Sequence, residues 1–173
     1  SQTYGEPLPE IETPELMGNV ENYDTFLQAV REVSPVPIRF DNIESGAKGY
    51  YSSADKEIVI QEGMSERQTM KTGIHETVHA KLHDRDVMEE LGEKKSQMTK
   101  EVEAESTAYV VCQYFGLDTS DYSFPYIAGW SSGMEMRELR ASMDTIRRTA
   151  GEFIDSMTEV LKQLMREQKE KEY

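Results

Sequence analysis

The three histidines of the chain fall in one nine-residue window, His75, His79 and His83. Residues 75–79 read His75-Glu76-Thr77-Val78-His79, an HExxH spacing. On a helix, residues four apart differ by about 40° around the axis, so both imidazoles leave one face and can share one Zn²⁺. Glu76 is rotated by about 100° from His75, which puts it beside such an ion, where it can hold a bound water. His83 is one further turn away. Three histidines along a straight helix span about 12 Å, too far for one tetrahedral ion, so His83 is expected to support or pack. No histidine follows His83, which excludes an HExxHxxGxxH site.

A catalytic zinc site takes three protein ligands and keeps a fourth position open. With His83 disfavoured, the third ligand is expected to be a carboxylate on another helix. The stretch Lys100-Glu101-Val102-Glu103-Ala104-Glu105-Ser106 offers Glu101 and Glu105 on one helical face, four residues apart. Like charges at that spacing are mildly unfavourable in an isolated helix, so a facing cation would give them a purpose. Glu103 points to another side. From spacing alone Glu101 and Glu105 both qualify as ligand, and a solvated acidic face is the competing expectation.

These groups need elements to hold them. Ser65-Glu66-Arg67-Gln68 has the form of a capping box, and Met70, Ile74, Val78 and Leu82 repeat every four residues, predicting a helix from about Glu66 to Asp84. Upstream, residues 22–31 form a short amphipathic pattern ended by Pro35 and Pro37. Ile38-Arg39-Phe40 reads as a strand, and Gly49–Ser52 with Glu57–Ile60 flank a polar turn and read as a hairpin. Residues 84–98 read as loop with some helix. Thr99 is the expected cap of a further helix through Phe115, with Gly116 placed just past its end. Residues 117–130 are aromatic and turn-rich. From Met134 the apolar residues Met136, Leu139, Met143, Ile146, Ala150, Phe153, Met157, Val160 and Leu164 mark one long helix with an a/d seam, with Gly151 a candidate kink. The seam can pack along the domain or mediate self-association. The fold expected is α+β: a small antiparallel or mixed sheet, the HExxH helix, a Glu-bearing helix and a long C-terminal helix. Residues 1–17, with Pro7, Pro9 and Pro14, read as an extended arm, and 18–173 as one domain.

The chain has 173 residues and a net charge of −14. That acidity argues against direct nucleic-acid binding and against association with anionic membranes. No apolar run is long enough to span a bilayer, and no leader is visible at the N-terminus. The lone cysteine, Cys112, lies in an apolar run and is expected to pack; together these features suggest a reducing, cytoplasmic setting.

The zinc motif and its context resemble the gluzincin-type metallopeptidases. More closely, they resemble the ImmA/IrrE metallo-endopeptidases and the related LtrC-like and ArdC-like domains of mobile-element proteins. The likeness runs through Glu57–Ile60, His75 to His83, Glu101 to Ala108, Asp118 to Phe124, and Ala128-Gly129-Trp130. It implies a hydrolase in which His75, His79 and Glu101 bind zinc and Glu76 is the general base. It implies that Glu105, where many members have Asn, orients a zinc histidine. The expected reaction is endoproteolysis of a protein or peptide substrate, such as a regulator or host defence protein. Tyr109, Tyr122 and Tyr126 are candidates to stabilise the oxyanion, and the strand at Ile58–Ile60 is a candidate to pair with an extended peptide. The alternative is a non-catalytic zinc-containing module whose acidic surface mimics DNA, of the antirestriction kind.

Overall fold

The computed structural model describes residues 20–117, 119, 129 and 131–172. Among them are five helices and one sheet: α1 (Tyr23–Val33), β1 (Ile38–Asp41), β2 (Gly49–Ser52), β3 (Glu57–Gln61), α2 (Glu66–Leu82), α3 (Arg85–Leu91), α4 (Gln97–Tyr114) and α5 (Met136–Lys171). The class is α+β, as expected. The arm proposed for residues 1–17 and the residues Tyr122, Tyr126 and Trp130 lie outside the described residues.

The sheet is mixed, in the order β1-β3-β2. β3 pairs in parallel with β1 (Ile38 opposite Ile58) and antiparallel with β2 (Tyr51 opposite Ile58). This corrects one expectation. The strand at Ile58–Ile60 has a neighbour on both sides and cannot accept a peptide by edge pairing; among the described residues the edge strands are β1 and β2. Ile58, Val59 and Ile60 are all buried, so β3 is covered on both faces and does not alternate as a strand with one solvated face would.

Helix α2 lies on the sheet through contacts with β2 and β3, and α4 packs against both α2 and α5. Met70, Ile74 and Val78 point into a core with Ile58 and Ile60, and Ala104, Ala108, Val111 and Cys112 of α4 join them. Each large side chain fully buried there contributes about 1.5–3 kcal/mol. Ala104 and Ala108 keep the α4 surface low, and short side chains bring helix axes together. Along α5, the seam from Ala150 to Leu161 is turned inward through Phe153 and Met157, packed on α4 and α1, whereas Met136 and Met143 are exposed. The helix runs unbroken through Gly151.

The caps differ in detail from the sequence reading. Ser65 caps α2, its Oγ accepting from the Gln68 amide at 3.1 Å. Ser96, not Thr99, caps α4: the Thr99 amide donates to Ser96 Oγ at 3.1 Å, which places Thr99 inside the first turn. Gly116 follows the end of α4 at φ 86, and the Leu117 amide reaches back to the Cys112 carbonyl at 2.8 Å. That closure needs a left-handed residue, which glycine supplies without strain.

Helix α2 ends at Leu82, two residues short of the expected Asp84, because Asp84 is committed to the next helix. Its carboxylate accepts from the Asp86 and Val87 amides, from Lys56 Nζ at 2.8 Å and from the Tyr51 hydroxyl. One side chain thus ties the β2–β3 hairpin to the α2–α3 junction. Burial opposes its charge, but Lys56, Tyr51 and the amides outweigh burial and hold its pKa down at about 2. In the unfolded chain the value is about 3.9, so this stabilisation is complete above about pH 4 and is lost as pH falls toward 2. Asp84→Asn, which can still cap, is expected to cost about 1–2 kcal/mol at pH 7, allowing for the half-exposed Lys56. Urea unfolding of both proteins should show the gap closing between about pH 4 and pH 2. A gap that stays constant across that range would mean the charge is not its source.

Candidate metal centre

His75 and His79 leave the same face of α2, and α4 crosses that face with Glu101 toward them. His75 Nε2 lies 2.8 Å from Glu101 Oε1, and His79 Nε2 lies 3.0 Å from Glu101 Oε2. One carboxylate therefore spans both imidazoles. One ligand atom from each of the three residues lies within 4.8 Å of the other two. Ligands held at about 2.0–2.2 Å around a tetrahedral ion stand roughly 3.3–3.6 Å apart, so this donor set fits a zinc ion after small adjustments. The side chains of Glu101 and His79 are 23% and 15% exposed, which leaves the group reachable from solvent on one side.

Glu105 does not converge with the Nε2 edges. It lies 2.7 Å from the other nitrogen of His75, Nδ1, and 2.6 Å from Lys71 Nζ. Lys71 and Glu105 are each only 3% exposed at the side chain. The solvated-face expectation fails for Glu103 and Glu105, both of which are buried. Lys71 carries no motif of its own, but a sequence signal for it exists: it precedes His75 by four residues, as Glu101 precedes Glu105, so the two crossing helices present matched pairs.

His83 caps the C-terminal end of α2. Its Nδ1 lies 2.8 Å from His79 Nδ1, and its Nε2 lies 2.8 Å from Glu103 Oε1. Glu103, expected to point elsewhere than Glu101, meets His83 rather than the two converging imidazole edges, and its Oε1 meets Lys95 Nζ at 2.8 Å as well. A cleft of about 600 Å³ lined in part by Ser52, Ser53, Arg85, Met88 and Lys100 reaches His83 but none of the three converging ligands.

The electrostatics follow from burial set against partners. Burial disfavours charge on His75, yet Glu101 and Glu105 outweigh it and hold its pKa well above the ordinary imidazole value. Burial would raise Glu101, but His75 and His79 hold it well below the usual carboxylate range. Glu105 is likewise held low, against burial, by Lys71 and His75. Burial pushes His83 down to about 4. Glu76 differs from the other glutamates: burial raises its pKa, and His75 and His79 only partly offset this.

Glu76 is buried on α2 under strand β2, where Gly49 makes the close approach possible. A Cβ at Gly49 would stand 2.7 Å from Thr72 Cγ2, 3.1 Å from the Val59 carbonyl oxygen and 3.4 Å from Glu76 Cγ. Any side chain there would push β2 off the helix at the level of Glu76. Of the tyrosines considered for an oxyanion role, Tyr109 stands about 12 Å along α4 from Glu101, and Tyr122 and Tyr126 lie outside the described residues.

The chain is similar to a Bacillus anthracis protein, pXO2-81, whose name describes it as uncharacterized. The two are 36% identical over 116 residues, which is 66% of this chain and 19% of that protein. The chain thus spans about a fifth of the length of the curated relative it matches. No protein-family model and no solved structure matches the chain. Among the described residues, no helix is long and apolar enough to cross a membrane.

Proposed function

We propose that this chain is a zinc-dependent endopeptidase domain that hydrolyses a peptide bond in a protein substrate. The observation that carries the reading is the convergence of His75 Nε2, His79 Nε2 and the Glu101 carboxylate, with buried Glu76 on the same helix. These three residues would hold the zinc ion, which when bound polarises a carbonyl and brings the pKa of a water near 7. Glu76 acts as the base: it receives a proton from the attacking water and delivers it to the leaving amine. A carboxyl whose burial raises its affinity for a proton suits that two-way transfer. Glu105 holds the outer nitrogen of His75, so that the ring presents Nε2 inward. The outer edge of β2, which carries Gly49 beside Glu76 and has no strand paired to it among the described residues, is the place for an extended substrate to pair.

The resemblance to mobile-element domains extends the proposal to a regulator or host defence protein as substrate. The buried Cys112 fits a reducing, cytoplasmic setting. The test is incubation of the zinc-loaded chain with a proteome-derived peptide library, read by mass spectrometry. Zinc-dependent cleavage that chelation abolishes and zinc restores supports the reading. Stoichiometric zinc without any cleavage would favour the acidic binding module, and a chain that takes up no zinc overturns both.

A further inference from the structure

We infer that His83 is a positioning residue for His79, acting at the end of a buried chain of contacts from Lys95 through Glu103. The inference rests on the zinc reading above. Four distances define the chain. Lys95 Nζ lies 2.8 Å from Glu103 Oε1, and the same oxygen lies 2.8 Å from His83 Nε2. His83 Nδ1 lies 2.8 Å from His79 Nδ1, and His79 Nε2 lies 3.0 Å from Glu101 Oε2. The side chains of Glu103 and His83 are 1% and 2% exposed, so their contact is buried although the cleft reaches His83.

The direction of each hydrogen bond follows from what each group can do. A carboxylate paired with a lysine only accepts, so His83 Nε2 carries the hydrogen and donates to Glu103. A neutral His83 of that tautomer has its lone pair on Nδ1. Two ring nitrogens 2.8 Å apart share one hydrogen, so His79 Nδ1 must donate it. The His79 tautomer with hydrogen on Nδ1 leaves the lone pair on Nε2, the edge that faces Glu101 and His75. A packing histidine would need no such ordered partner at each nitrogen. The two rings are therefore held by different means: His75 donates to the carboxylate of Glu105, and His79 to a neutral imidazole, which adds no negative charge behind the ion.

The experiment uses the full chain labelled with ¹⁵N at histidine. Long-range ¹⁵N–¹H correlation spectra of the zinc-loaded protein should show His83 with hydrogen on Nε2 and His79 with hydrogen on Nδ1. Glu103→Met, which fills the same space but offers no acceptor, should release the His83 tautomer and weaken zinc binding about 10–100-fold, with the His75 signals unmoved. His83→Asn places an oxygen where Nδ1 was and should keep most of the affinity. His83→Leu offers no acceptor and should lose about 10–100-fold. Zinc affinity is read by competition with a chromophoric chelator, and thermal unfolding of the metal-free proteins separates folding from binding. A wild-type chain that binds zinc with hydrogen on His83 Nδ1 overturns the inference alone. So does a Glu103→Met protein whose zinc affinity and tautomers match wild type. A wild-type chain that binds no zinc overturns the underlying reading, and this inference with it.

Discussion

Glu76→Gln is expected to leave zinc bound at one ion per chain and to slow peptide hydrolysis by about 10²–10⁴-fold, the usual contribution of a positioned general base. The substitution keeps the shape of the side chain against Gly49, so the fit of β2 over α2 is preserved. It removes the one function the neutral amide cannot perform, holding a proton between water and leaving amine. Metal content by mass spectrometry and single-turnover cleavage of a peptide found in the library screen make the check. Full activity in Glu76→Gln would place the base elsewhere. Loss of zinc along with activity would mean that Glu76 holds the site together and would leave its role in proton transfer without support.

The second large effect concerns the two glutamates that spacing left equivalent. Glu101→Ala is expected to weaken zinc binding by more than the roughly 10–100-fold expected for Glu105→Gln, because Glu101 spans both Nε2 edges and Glu105 touches only the outer nitrogen of His75. Competition with a chromophoric zinc chelator ranks them. The reverse ranking would make Glu105 the ligand and overturn the assignment. Stability supplies an independent readout. Glu105→Gln replaces the carboxylate 2.6 Å from buried Lys71 Nζ by a neutral amide, and breaking a buried ion pair costs about 3–5 kcal/mol. Glu105→Gln should therefore unfold at lower temperature than Glu101→Ala even without metal. In wild type, zinc at 100 times its Kd should add about 2.7 kcal/mol of stability, which chelation removes.

Much of the molecule is legible in local patterns. The four-residue repeat of Met70, Ile74, Val78 and Leu82 behind a serine cap defines α2, and the HExxH residues follow onto its neighbouring face. The hairpin, the glycine past α4 and the long C-terminal helix are legible for the same reason. Caps, turns and helical periods are set by residues a few positions apart, so the chain carries them in plain order. Where such local signals compete, they mislead by small amounts: Ser96 and Thr99 both suit a cap, and Asp84 suits either the end of one helix or the start of the next. Hydrogen bonds decided between them.

From residues alone, then, come the two histidines and the glutamate between them, a choice of carboxylates, and an α+β class. Tertiary structure decided the rest. It turned Glu101 toward both imidazoles, Glu105 toward Lys71 and Glu103 toward His83, and it put β3 in the middle of the sheet, leaving β2 as the edge beside Glu76. The reason is one of distance along the chain. Helical spacing tells which side chains share a face, but the partner of that face depends on how closely another helix approaches. Here that approach is set by Ala104 and Ala108 packing into a core built from strands and helices far apart in sequence.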